Sequence, residues 1–271
     1  MRKKYGRTVK HLSDMFDVIK EENEFEHIEI NVDDISYQSL IYDENYIELI
    51  NQFAQKNEVT LSVHSCTDLN LGERVDRIRE AAFKITMEIA EFCVKIHATY
   101  LVVHLGYCGF HSNARKKEQR LQMVMNDLYS VLTFLKNHGS TLLIENQKLV
   151  EYNCYKSYLG DTYSDFEYID GINGNKNIGY LFDIGHYNIN NERTSIEFIN
   201  KFRNRIQAYH VHRNDGVRDL HLALNDEWIL ENSELHNLLL QEYKSGKIVI
   251  FENYSIEEMK ASKSAFQRVD M

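Results

Sequence analysis

Three consecutive pieces of sequence decide the fold: Val59-Thr-Leu-Ser-Val63, then Glu73–His97, then Tyr100-Leu-Val-Val103. The first and last pieces are short, largely apolar runs, which predict strands. The middle piece predicts an amphipathic helix, because apolar residues recur along it at three- and four-residue spacing: Ile78, Ala81, Ala82, Ile85, Ile89, Phe92, Cys93 and Ile96. A strand, a helix and a strand in this order predict a βαβ unit with parallel strands.

The same alternation of strand and helix extends through the whole chain. We predict eight strands, at Tyr5–Val9, Phe25–Asn31, Val59–Val63, Tyr100–Val103, Thr141–Ile144, Ile178–Phe182, Ile206–Val211 and Ile248–Phe251. Helical patterns follow them, at His11–Glu22, Tyr46–Lys56, Glu73–His97, Lys117–Asn137, Ser164–Ile172, Ser195–Asn204, Ser233–Tyr243 and Ile256–Arg268. Eight such units predict a single (β/α)8 TIM-barrel domain over residues 1–271. A doubly wound open sheet is the alternative, although no glycine-rich phosphate loop follows an early strand.

The composition is that of a globular protein with an acidic balance. The 271 residues include 31 basic and 41 acidic ones, for a formal net charge of −10. This balance disfavours nucleic acid as a partner, since its binders usually carry a basic footprint. No apolar run reaches the ~18 residues of a membrane helix. Four cysteines without CxxC spacing, and a basic N-terminus with no apolar stretch after it, lead us to expect a cytoplasmic protein.

Residues able to bind metal end or follow six successive strands: His64, His104, Glu145, Asp183, His212 and Glu252. His186 follows one turn after Asp183, and Asp219 and His221 lie shortly after His212. The carboxyl ends of barrel strands converge on one mouth, where the active sites of this fold lie. Imidazoles and carboxylates together suit a divalent transition metal, so we predict a metal site there. His210 has the same inward orientation as His212, but we expect it to lie too deep to be a ligand.

The ordered set of strand-end motifs resembles the xylose isomerase-like barrel superfamily. The matching pieces are Val63-His64, Val103-His104-Leu-Gly106, Ile144-Glu145-Asn146, Phe182-Asp183-Ile-Gly-His186, His212-Arg-Asn-Asp215, Asp219-Leu-His221-Leu and Phe251-Glu252-Asn253. That superfamily contains sugar-phosphate isomerases and epimerases together with AP endonucleases of the endonuclease IV type. The resemblance therefore implies a metal-dependent enzyme and leaves its substrate open.

In the epimerase branch, the resemblance implies one divalent ion (Mn, Zn, Co or Mg) bound by Glu145, Asp183, His212 and Glu252. Glu145 and Glu252 would also take and return a proton beside a metal-bound carbonyl of a sugar or sugar phosphate. The remaining pocket residues would contact or surround the substrate: His64, His104 and His186. We expect this isomerase or epimerase function, in a chain whose outer ring of helices can support a homo-oligomer.

In the endonuclease branch, the resemblance implies three zinc ions, and the chain has a matching residue at all nine positions: His64, His104, Glu145, Asp183, His186, His212, Asp219, His221 and Glu252. The sequence departs from that branch where Ser65-Cys66-Thr67 replaces a small residue, proline and tyrosine, and where Leu105 replaces a proline. A dehydratase or lyase acting on a polyol or ketose is a third alternative for the same pocket.

Overall fold

Eight parallel strands close into a barrel in a computed structural model that describes residues 4–9, 24–33, 40–109, 114–149, 156–174, 177–189 and 193–268. The barrel strands are β1 (Lys4–Val9), β2 (His27–Asn31), β3 (Thr60–His64), β4 (Tyr100–Val103), β6 (Thr141–Glu145), β8 (Gly179–Asp183), β9 (Ile206–Val211) and β10 (Ile248–Phe251). They follow one another around the barrel in chain order, and β10 closes on β1. The predicted TIM barrel and all eight of its predicted strands are confirmed.

Helices connect the strands and cover the outside of the barrel. They are α1 (Glu44–Lys56), α2 (Asp76–Lys95), α3 (Ala114–Asn137), α4 (Tyr163–Asn173), α5 (Ile184–Asn188), α6 (Ser195–Phe202), α7 (Asp226–Glu231), α8 (Ser233–Lys244) and α9 (Ile256–Gln267). The predicted helix His11–Glu22 lies outside the described residues. In the part of the chain that the structure describes, no helix is both long enough and apolar enough to cross a bilayer.

The buried face of α2 is narrower than its apolar pattern predicts. Ala82, Ile89 and Cys93 are buried, but Ile78 and Ile85 are 56% and 39% exposed. Ile78 and Ile85 are seven residues apart and share a flank of the helix that does not face the barrel. The apolar pattern that predicts this helix therefore includes two residues that do not pack against the barrel.

Strand residues alternate between the barrel interior and the layer beneath the helices. On β9, Tyr209 and Val211 belong to the large outer core, whereas Ala208 belongs to a separate inner cluster. His210 lies two residues beyond Ala208 and therefore has its side chain on the inner face. The outer layer is rich in aromatic rings, such as Phe182 stacked on Phe198 with ring centroids 4.5 Å apart.

Two short strands form an element that the sequence did not predict. β5 (Tyr107–Gly109) pairs antiparallel with β7 (Lys156–Tyr158), beyond the ends of β4 and β6. Gly106 precedes β5 with φ +82°, and a Cβ atom there would lie 2.7 Å from the backbone nitrogen of Leu71. Only glycine fits such a positive φ and close approach without strain.

Candidate metal centre

The residues able to bind metal meet at one mouth of the barrel. Three are the last residues of β3, β6 and β8: His64, Glu145 and Asp183. Three directly follow β4, β9 and β10: His104, His212 and Glu252. Parallel strands end at the same side of a barrel, so the chain order of these residues becomes a ring around the mouth.

The first group places two imidazoles on one carboxylate oxygen. Nε2 of His64 lies 2.8 Å from Glu145 Oε2, and Nε2 of His104 lies 3.1 Å from the same oxygen. Nδ1 of His64 lies 2.8 Å from the backbone oxygen of Ser65. A nitrogen facing a carbonyl carries a proton, so Nδ1 is the donor and Nε2, which faces the centre, is the atom that a metal ion would bind.

The second group is built around Asp183 and requires a glycine. Nε2 of His212 lies 3.2 Å from Asp183 Oδ1, and Glu252 supplies a further ligand atom to the same group. The His212 ring packs against the backbone of Gly185, where a Cβ atom would lie 1.9 Å from the ring carbon Cε1. Any larger residue at position 185 would push His212 out of the centre.

The third group surrounds Asp219, whose two oxygens face different histidines. His186 Nε2 lies 3.2 Å from Asp219 Oδ2, and His221 Nε2 lies 3.4 Å from Asp219 Oδ1. Nδ1 of His186 lies 2.9 Å from the backbone oxygen of Asn146, and Nδ1 of His221 lies 2.9 Å from that of Glu252. His221 also has a left-handed backbone, with φ 46°. Such a backbone is strained in a non-glycine residue and is typical of functional sites.

The donor set fits a divalent metal. Three ligand atoms lie within 4.8 Å of one another in each of four overlapping groups: His64–His104–Glu145, Glu145–Asp183–His186, Asp183–His212–Glu252 and His212–Asp219–His221. His104 Nε2 and Asp219 Oδ1 are buried, and although Glu145 and His221 lie 3.1 and 3.4 Å from them, neither atom makes a hydrogen bond of good geometry among the described residues. Buried polar atoms of this kind need a partner, and a cation bound by nitrogen and oxygen ligands supplies one.

The charges within the centre keep its carboxylates ionised. Burial raises the pKa of Glu145, but the imidazoles of His104 and His210 outweigh burial and hold that pKa well below its usual range. Burial is likewise outweighed at Asp183, where His186 and His212 lower the pKa of the carboxyl. Ionised carboxylates are the form that binds a metal, so Glu145 and Asp183 are in the protonation state that a metal ligand needs.

All nine residues predicted for a multinuclear centre come together, but the sequence did not identify their supports. The Asn146 side chain accepts a hydrogen bond from Asp183 N at 2.7 Å and donates one to Asp183 O at 2.9 Å, which joins the ends of β6 and β8. Lys148 donates to Asp219 Oδ2 at 2.9 Å. The fully buried His210 lies inside the barrel, where its Nε2 contacts Glu29 of β2 rather than a loop residue.

Comparison with known proteins identifies the family. A model described as xylose isomerase-like TIM barrel matches residues 16–267. The chain belongs to this family. The barrel is 27% identical over 253 residues to the uncharacterized protein MJ1614 of Methanocaldococcus jannaschii, covering 93% of this chain and 90% of that protein.

Solved structures with the same fold include two with informative descriptions. The crystal structure of a D-tagatose 3-epimerase-like protein superposes with a TM-score of 0.78 at 24% identity, covering 96% of this chain and 94% of that one. The TTHB071 protein of Thermus thermophilus, soaked with ZnCl2, superposes with a TM-score of 0.72 at 14% identity, covering 97% and 96%. At these sequence identities, the two structures share the fold of this xylose isomerase-like barrel, and the similarity shows nothing more than the fold.

Proposed function

We propose that this barrel is a divalent-metal-dependent isomerase or epimerase of a sugar or sugar phosphate. The observation that carries the proposal is the meeting of two carboxylates from separate strands. Glu145 Oε1 and Glu252 Oε2 lie 3.5 and 3.2 Å from the same atom, Nδ1 of His210. Solved structures with this fold include D-psicose 3-epimerase and L-ribulose 3-epimerase, which supports a sugar substrate.

The two carboxylates are suited to move a proton between the faces of one substrate carbon. A divalent ion held by Glu145, Asp183, His212 and Glu252 would polarise a substrate carbonyl and acidify the adjacent C–H. One of the two glutamates removes that proton and the other returns one from the opposite side. His64, His104 and His186 surround this centre and would contact the substrate.

The test uses a panel of free and phosphorylated ketoses, including D-tagatose, D-psicose and L-ribulose. Each sugar is incubated with Mn²⁺-loaded protein in D2O, and proton exchange and epimer formation are followed by NMR. We expect Glu145→Gln and Glu252→Gln each to lower turnover by about 10²–10⁴-fold. Unchanged turnover in either variant with metal still bound would show that the acid–base assignment is wrong.

A second function, phosphodiester hydrolysis at abasic sites, is favoured by the ligand groups beyond the one-metal set. His64 and His104 share Glu145, and His186 and His221 share Asp219. Centres with two or more ions stabilise both the attacking and the leaving oxygen of a phosphodiester. The net charge of −10 opposes this alternative, because a DNA channel needs positive charge.

Metal content per chain separates the two functions. We expect one tightly bound ion per chain by elemental analysis, with no incision of a duplex that contains one abasic site. Three ions per chain together with incision would replace the isomerase proposal by the endonuclease. An Asp219→Asn variant separates the two cases further. Asp219 is outside the one-metal ligand set, so its loss lowers the metal content only if the centre holds more than one ion.

A further inference from the structure

A buried carboxylate–imidazole pair lies beneath the metal centre. Glu29 on β2 and His210 on β9 are both 0% exposed, and His210 Nε2 lies 2.6 Å from Glu29 Oε1. β2 and β9 are not neighbours in the barrel, because β10 and β1 lie between them. The pair therefore spans the barrel interior, and strand pairing alone does not bring these two residues together.

Both oxygens of Glu29 are held in place. Oε1 contacts His210, and Oε2 accepts a hydrogen bond from the Ser62 hydroxyl at 3.0 Å. The Ser62 hydroxyl oxygen lies 2.9 Å from Nε2 of His27, which fixes the serine in turn. Glu29 is thus anchored by side chains of β3 and β9, and its orientation toward His210 is set.

The opposite edge of the His210 ring faces the metal centre. Its Nδ1 lies 3.2 Å from Glu252 Oε2, 3.5 Å from Glu145 Oε1 and 3.6 Å from Asp183 Oδ2. An ionised carboxylate only accepts hydrogen bonds, so the ring donates from Nε2 to Glu29. Nδ1 is buried and makes no hydrogen bond of good geometry among the described residues, but its edge of the ring faces three carboxylates of the proposed ligand set.

We propose that Glu29 and His210 are a positioning pair, through which the three carboxylates are held together in the arrangement that binds metal. The inference rests on the proposed metal centre. Stability alone does not account for the pair, since well-packed apolar residues in place of a buried ion pair are often neutral or stabilising. Groups that orient metal ligands from behind typically change metal affinity by about 10- to 100-fold.

The test compares Glu29→Gln with a matched control, Glu242→Gln. Glutamine at position 29 keeps the size and the acceptor for His210 but removes the charge. Glu242 is equally buried and accepts a hydrogen bond from Tyr209, the residue before His210, at 3.0 Å, but it lies on the outer side of β9 and pairs with Arg203 and Lys247. Affinity for Zn²⁺ is measured by competition with a chromophoric chelator.

We expect Glu29→Gln to weaken Zn²⁺ binding about 10- to 100-fold and Glu242→Gln to leave it unchanged while lowering stability. Equal affinity in Glu29→Gln and the unmodified protein would overturn the positioning role. Absence of Zn²⁺ binding by the unmodified protein would instead overturn the metal centre itself. If Glu29→Gln does not fold, Ser62→Ala replaces it, since this variant frees Glu29 Oε2 without removing charge. A several-fold weaker affinity for Zn²⁺ would support the positioning role, and an unchanged affinity would refute it.

Discussion

The lower interior of the barrel has two chemically different sides. One side, formed by β4, β6, β8, β9 and β10, is an apolar cluster of Tyr100, Val102, Leu143, Leu181, Ala208, Ile248 and Ile250. The other side, formed by β2 and β3, has polar side chains at the inward positions: His27, Glu29, Thr60 and Ser62. Both sides lie below the same candidate metal centre. The difference separates the part of the interior that stabilises the barrel from the part that supports the site.

Polar side chains can be buried on this side of the barrel because they form hydrogen bonds with one another. His27 Nδ1 lies 2.9 Å from Thr60 Oγ1, and its Nε2 lies 2.9 Å from Ser62 Oγ. Ser62 donates to Glu29, and Glu29 contacts His210. A hydrogen-bonded chain therefore runs from the bottom of the barrel to His210, whose Nδ1 edge faces the carboxylates at the mouth. A network of this kind favours one arrangement of its members, which suits a site whose side chains need exact placement.

The largest effect is expected when a polar group is placed on the apolar side, which tests whether the two sides differ in their tolerance of polar groups. Leu143 is fully buried between β4 and β8. We expect Leu143→Asn to lower the free energy of unfolding by about 3–5 kcal/mol, because it removes apolar contacts and buries an amide without partners. Urea unfolding measures the change, with Leu143→Met as the control at less than about 1.5 kcal/mol. A loss below that of the control would show that this side already accommodates polarity.

A second experiment measures how the free energy of unfolding depends on pH through His27, on the polar side. Burial, with the charges of Lys4 and His210, lowers the pKa of His27 to about 3 from an ordinary value of 6.5. Because the folded state favours the neutral ring, His27 contributes stability above pH 6.5 that is lost as the pH falls toward 3. Between about pH 7 and about pH 4.5, the metal-free protein should lose about 2–3 kcal/mol more than His27→Gln. Urea unfolding with chelator at both pH values gives this difference, and equal losses would contradict it.

The sequence reveals the mouth of the barrel better than its interior. Glu145 and Asp183 could be assigned from sequence because parallel strands place their last residues at one end, whatever the loops do. Glu29 could not, because the alternation in Glu-His-Ile-Glu-Ile-Asn, residues 26–31, is the same for a face in water and for a face inside a barrel. Lys148 was missed for another reason, since loop conformation has no periodic signal.

The smallest predicted effect is at the boundary between the two sides. Tyr100 belongs to the apolar cluster, yet its hydroxyl lies 3.2 Å from Nε2 of His27. Since His27 Nε2 also has the Ser62 hydroxyl at 2.9 Å, removal of the tyrosine oxygen leaves the ring nitrogen with a partner. Tyr100→Phe should therefore lower the free energy of unfolding by only about 1 kcal/mol.

Tyr209→Phe is the matched control on the outer face, where the lost hydrogen bond goes to the carboxylate of Glu242 at 3.0 Å. Hydrogen bonds to a charged acceptor are stronger, so this variant should lose about 1.5–3 kcal/mol. Urea unfolding ranks the two. If Tyr100→Phe proved the more damaging, the tyrosine hydroxyl rather than Ser62 would be the main partner of His27, and the polar chain would include the apolar side of the barrel.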